Sequence, residues 1–234
     1  RDLHSSPTRR FSDLPLESID GEKDFLQKFK GKVTLVTNVT GNCGNAPQYG
    51  VIEDLYQQYK TEGFEVIAVP TNDYCGQGLT YGEHVYGCEN AQGAKDYAEK
   101  TYGVTYNFSQ LVESNPGPGE IIPGLPTKYG KVSPHLIYRW LCYNSRNFYH
   151  NEQNGMFMGG NFEKYLVDKD GYVAKHYLST VLNYDVERTL KEAEPTARLG
   201  TGRSRKVFEE EFAVICKHID ELLAGKKADI NPNK

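Results

Sequence analysis

Val33-Thr34-Leu35-Val36-Thr37-Asn38-Val39, continuing into Thr40-Gly41-Asn42-Cys43-Gly44, is the stretch on which the fold turns. Apart from Asn38, its first seven residues are β-branched or apolar, the composition of a strand buried on both faces of a sheet. A glycine-rich turn follows. Pro47 then stands where a first helical turn tolerates proline, and Val51, Ile52, Leu55, Tyr56 and Tyr59 recur at helical spacing up to a stop at Gly63. Phe64 to Val69 is a second buried-strand run. The three pieces read as a β-α-β unit, whose handedness rule makes the two strands parallel.

Further along, Ala91 to Tyr102 has the pattern of a helix ended by Gly103, with a short strand expected at Val104 to Phe108. Asn115-Pro116-Gly117-Pro118-Gly119 and Pro123 to Pro126 make a turn-rich loop long enough to be functional or to form an interface. A helix is expected to resume over Pro134 to Cys142. Phe162 to Val167 and Tyr172 to Tyr177 flank Asp168-Lys169-Asp170-Gly171, the composition of a hairpin turn between antiparallel strands. Phe208, Phe212, Ile215, Cys216, Ile219, Leu222 and Leu223 form the apolar stripe of a last helix, closed by Gly225. Two parallel strands, a later hairpin and a closing helix predict an α/β fold of thioredoxin-like type, a mixed central sheet with helices on both faces.

A chain of 234 residues can bury one substantial core. We read one domain over residues 11–225, a loose polar arm over 1–10 and a polar tail over 226–234. The net charge of -4, with scattered Lys and Arg, offers no basic field for nucleic acid. No apolar run approaches the roughly 18 residues of a membrane span. The start without methionine and the polar arm suggest an exported protein, extracellular or periplasmic, with a cytoplasmic one as the alternative. The five cysteines include no C-x-x-C pair and the six histidines no H-E-x-x-H spacing, so a metal site is not expected. Asn38-Val39-Thr40 and Asn107-Phe108-Ser109 are formal glycosylation sequons, but both overlap expected strands.

Cys43 lies between a buried strand and the first turn of a helix. Helix N-termini offer unpaired N–H donors and about half a positive charge, which favour thiolate over thiol, and such turns are exposed at the carboxyl end of open sheets, where sites form. The alternative is a small buried hydrophobe. Position by itself does not choose between them.

The segment Val36-Thr37-Asn38-Val39-Thr40-Gly41-Asn42-Cys43-Gly44-Asn45-Ala46-Pro47-Gln48-Tyr49 resembles the one that carries the catalytic selenocysteine or cysteine in glutathione peroxidases. Val69-Pro70-Thr71-Asn72-Asp73-Tyr74-Cys75-Gly76-Gln77 is similar to that family's second motif, whose last residue is a glutamine that contacts the reactive chalcogen. Asn161-Phe162-Glu163-Lys164-Tyr165-Leu166-Val167-Asp168-Lys169-Asp170-Gly171 resembles the third, in which an asparagine follows a tryptophan and both face the site. The likeness runs from about Phe11 to Leu178, with insertions near 115–131 and 183–205. The first insertion would lie either at a subunit interface of a homo-oligomer or over the site.

The resemblance implies a thiol-dependent peroxidase acting on hydrogen peroxide or organic hydroperoxides. Cys43 would be the nucleophile that becomes a sulfenic acid, with Gln77 and Asn161 as polar partners. Glutathione or a thioredoxin-like protein dithiol would be the reductant, with no bound cofactor. The two insertions and two residue departures point to a rival, a family member with weak or lost turnover that serves as a binding, structural or redox-sensing protein. Gly160 stands where the family has its tryptophan, and Ala98 stands where thioredoxin-dependent members carry a resolving cysteine. The single tryptophan, Trp140, is expected to pack in the core or cover the surface rather than replace the missing donor. Cys75 and Cys88 are expected to be free or structural disulfide cysteines, and Cys142 and Cys216 core thiols.

Overall fold

The computed structural model describes residues 9–41, 43–71, 90–114, 135–145, 149–151, 155–157, 160–183 and 205–228. Strand β1 (Val33–Val39) is buried along its whole length. Helix α1 (Gln48–Tyr59) follows and tightens into a 3-10 turn over Lys60–Glu62. Gly63 ends it with φ +92°, a left-handed conformation that costs glycine little. β2 (Phe64–Pro70) pairs parallel to β1 from Val33↔Phe64 through Val39↔Pro70, as the β-α-β reading expects.

Helix α2 (Ala91–Tyr102) is capped by Asn90, whose side chain accepts the Gly93 N–H at 2.9 Å, and is closed by Gly103 at φ +66°. The strand expected after it shrinks to β3 (Asn107–Phe108), parallel to β2. Helix α3 (Leu136–Ser145) begins and ends later than its sequence pattern suggests. A two-stranded ladder, β4 (Tyr149–Asn151) with antiparallel β5 (Gly155–Phe157), was not expected; three-residue strands are too short to show alternation. β6 (Lys164–Val167) and β7 (Val173–Tyr177) form the expected hairpin. In its turn the Asp168 carboxylate accepts the N–H groups of Asp170 and Tyr172. Helix α4 spans Arg205–Leu223.

The main sheet has the order β3-β2-β1-β6-β7. β6 runs antiparallel to β1, with Thr37 opposite Lys164. Alternation along the strands separates two cores. Val33, Leu35 and Val39 face α1, α2 and α4, together with Tyr49, Ala98 and Ile219. Val36, Ile67, Tyr165 and Val167 face α3 and the N-terminal residues Phe11 to Phe29. The result is the thioredoxin-like helix-sheet-helix arrangement. No described helix is long and apolar enough to cross a membrane.

The antiparallel placement of β6 matters most for function. It brings the residues just before Lys164 beside the carboxyl end of β1, and Cys43 follows that end by four residues. Two motifs more than a hundred residues apart in sequence thereby meet.

Candidate active site

The turn after β1 is held from below. The Tyr49 hydroxyl donates to the Thr40 carbonyl at 2.6 Å, and the Phe162 ring meets Tyr49 edge-on at 4.9 Å. Asn38, the polar residue of β1, binds the loop that precedes β6. Its Nδ2 donates to the Gly160 carbonyl at 2.8 Å, its Oδ1 accepts the Glu163 N–H at 2.8 Å, and its backbone carbonyl accepts the Phe162 N–H at 2.7 Å. These three bonds fix Asn161 against the turn.

The Asn161 Nδ2 donates to the Cys43 sulfur at 2.7 Å. The backbone N–H of Asn45 points to the same sulfur from 3.4 Å. Cys43 and Asn161 are thus brought together as the sequence resemblance implies. Gln77, the third expected member, lies outside the described residues, as do Cys75 and Cys88.

The setting of the sulfur departs from expectation. Cys43 is only 7% exposed rather than displayed on an open turn, and the regular helix begins five residues later, at Gln48. Burial pushes the thiol up to about 11, against the pull of the Asn45 N–H, the Asn161 amide and the Ala46 N–H. Desolvation of the charged form outweighs the donors because the sulfur is enclosed by the packed aromatic cluster of this face.

Gly160 is explained by what stands beside it. A Cβ built there would lie 3.0 Å from Ser179 Oγ and 3.2 Å from Ser179 Cβ, so a side chain at 160 would press on Ser179, which would have to give by a few tenths of an ångström. Ser179 is itself held, because its carbonyl accepts Gln48 Nε2 at 2.7 Å. Trp140 does not substitute. Its indole N–H donates to the Arg9 carbonyl at 3.0 Å and its ring packs on Phe11, in the core on the opposite face of the sheet.

Ala98 is fully buried in α2. Cys43, Cys142 and Cys216 are thiols. Cys142 is a core thiol pushed up to about 12 by burial, whereas Cys216 is only half-buried at the rim. Of the two sequons, Asn38 is buried in β1 and Asn107 spends its amide N–H on Glu65 and the Val66 carbonyl. Among the described residues no group of acidic, His and Cys side chains is arranged to hold a metal ion.

The sequence reading missed Asn45 and Asn183. Asn45 Nδ2 donates to Asn161 Oδ1 at 2.8 Å, and Asn183 Nδ2 donates to Asn45 Oδ1 at 2.8 Å. Asn45 lies inside the first motif but carries no signal of its own. Asn183 lies beyond the last motif and is delivered by a turn that no local pattern announces.

A family model described as glutathione peroxidase matches residues 11–120. The hydroperoxy fatty acid reductase gpx1 of Synechocystis sp. is 31% identical, over 74% of this chain and 91% of its own length. This chain belongs to the glutathione peroxidase family. Another member, the chloroplastic phospholipid hydroperoxide glutathione peroxidase 1 of Arabidopsis thaliana, is 30% identical over 77% of this chain. The chain spans 64% of the length of that relative. The fold agrees with the crystal structure of Trgpx in apo form, with a TM-score of 0.51 at 20% identity, covering 94% of this chain and 99% of that one.

Proposed function

We propose that the protein is a thiol peroxidase that reduces hydroperoxides at Cys43. The observation that carries this is the 2.7 Å hydrogen bond from the Asn161 amide to the Cys43 sulfur, at the carboxyl end of β1 in a chain of this family. The thiolate attacks the terminal oxygen of a hydroperoxide ROOH. The S–O bond forms as the O–O bond breaks, the alkoxide leaves as ROH with the proton given up by the thiol, and sulfur becomes a sulfenic acid. A first reductant thiol displaces water from the sulfenic acid to give a mixed disulfide. A second thiol releases it as a disulfide and restores Cys43. No bound cofactor enters these steps.

The amide of Asn161 supports the sulfur while it carries charge, and Gln77 is assigned the same part from the second motif. The Synechocystis hydroperoxy fatty acid reductase and the Arabidopsis phospholipid hydroperoxide glutathione peroxidase favour lipid-derived hydroperoxides as substrates. Buried Ala98 at the resolving position favours a reductant that supplies both thiols, either glutathione or a protein dithiol. A second reading, a redox-sensing protein with little turnover, draws on two observations: the buried thiol, and Ser179 set against Gly160 where the family has tryptophan.

A coupled assay with hydrogen peroxide and a fatty acid hydroperoxide, each with glutathione and with thioredoxin, separates the two. Turnover abolished by Cys43→Ser supports the peroxidase. Stoichiometric oxidation of Cys43 without turnover under either reductant overturns it in favour of the sensor.

A further inference from the structure

Three carboxamides form a directional chain that ends on the sulfur. Asn183 donates to Asn45, Asn45 to Asn161, and Asn161 to Cys43, at 2.8, 2.8 and 2.7 Å. Asn45 and Asn161 each accept through oxygen on one side and donate through nitrogen on the other. A carboxamide can present either end to a neighbour, and only the partner on its far side decides which. Because Asn161 Oδ1 is taken by the Asn45 N–H, its nitrogen is turned to the sulfur. Because Asn45 Oδ1 is taken by the Asn183 N–H, its own nitrogen is turned to Asn161.

The backbone around this chain is strained in two places. Among the described residues only Phe162 and Leu182 adopt positive φ without being glycine, at 59° and 67°. Phe162 directly follows Asn161, and Leu182 directly precedes Asn183. Such conformations are costly for side-chain-bearing residues and persist where surrounding structure imposes them. Here the Phe162 N–H is held by the Asn38 carbonyl and the Leu182 N–H by the Glu211 carboxylate of α4, at 3.0 Å. The buried Lys164 ammonium joins the two segments by donating to the Phe162 and Leu178 carbonyls.

We propose that Asn45 and Asn183 are positioning residues that set which end of the Asn161 carboxamide meets the Cys43 sulfur, so that the reacting group finds a donor rather than an acceptor. The proposal rests on Cys43 as the reacting residue. Among the described residues, the titratable groups electrostatically coupled to this sulfur are the phenols of Tyr49 in α1 and Tyr97 in α2, both raised by burial and therefore neutral at ordinary pH.

The test uses carboxylates that are nearly isosteric with the amides but only accept. With Asn183→Asp, Asn45 must turn its nitrogen outward, Asn161 must follow, and its oxygen then faces the sulfur. Iodoacetamide alkylation of Cys43 as a function of pH, read by mass spectrometry of its peptide, reports thiol ionisation without requiring peroxide turnover. Asn183→Asp and Asn45→Asp are expected to slow alkylation at fixed pH by about tenfold, one unit in the apparent pKa of the thiol, and Asn183→Ala by less. In an Asn161→Ala background the Asp effect should vanish. An Asp effect that persists there is a through-space charge and overturns the proposal. So does Asn183→Ala being as damaging as Asp, which would mean a merely structural role. Thermal melting accompanies each variant, and the Asn183 pair decides if Asn45→Asp does not fold. A parent protein that shows the alkylation pattern but no peroxide turnover upholds the relay and overturns the peroxidase reading.

Discussion

At the scale of single residues, chemistry is decided by what surrounds one sulfur. Cys43, proposed as the reacting thiol, is reached by amide donors, while burial opposes its ionisation. Brief treatment with limiting peroxide and dimedone should label Cys43 before Cys142, which lies in the opposite core and is pushed up to about 12. Labelling led by any other cysteine would remove the assignment. Gly160 supplies a second test. Gly160→Trp by itself should destabilise the fold by about 1–3 kcal/mol through overpacking against Ser179. Adding Ser179→Gly should relieve that pressure. If an indole donor is what the site lacks, the double variant should reduce peroxide faster than Ser179→Gly alone, with about 10²–10³ as the ceiling for one donor aimed at transition-state charge. Equal rates in stably folded proteins would show that the neighbouring amides already fill the role.

At the scale of elements, β1 supports the site through Asn38. A carboxamide inside a strand is unfavourable unless its groups are paired, and here both ends bind the loop before β6. Asn38→Ala leaves the Gly160 carbonyl and the Glu163 N–H without their partner, at about 1–3 kcal/mol for each buried group so stranded. The expected readout is a Tm lower by roughly 2–4 °C per kcal/mol, together with slower oxidation of Cys43 because Asn161 is no longer held. Loss of stability with an unchanged peroxide rate would separate the strand from the site.

For the whole molecule, both faces of the sheet bury groups that ionise in alkali. Cys43 and Cys142 rise from an ordinary 9.0 to about 11 and about 12, and burial also raises the phenols of Tyr49, Tyr59, Tyr106 and Tyr177. Above pH 9 the unfolded chain gives up thiol protons that the folded chain retains. The stability held by the neutral thiols is therefore complete below pH 9 and declines as pH rises through 11 and 12. Melting temperatures should fall across this range, and Cys43→Ser and Cys142→Ser should each flatten the fall. A Tm independent of alkaline pH would contradict the burial of these groups.

The run Val33 to Val39 determined a buried strand, Gly63 and Gly103 determined where two helices stop, and Asp168 to Gly171 determined a hairpin, because each depends on residue type and spacing alone. The same local patterns showed that Cys43 follows a strand, and the resemblance paired it with Asn161. Tertiary structure decided the rest. A glycine turn says nothing about what packs over it, so only the assembled core makes Cys43 a buried thiol. Antiparallel pairing of β6 with β1 brings Asn161 to the sulfur, and the strained turn at Leu182 brings Asn183 to Asn45. Gly160 reads in sequence as a lost tryptophan, whereas in space it is a position that Ser179 crowds. Local pattern encodes torsion preference and burial period, but contacts between residues more than a hundred apart arise only when the sheet closes.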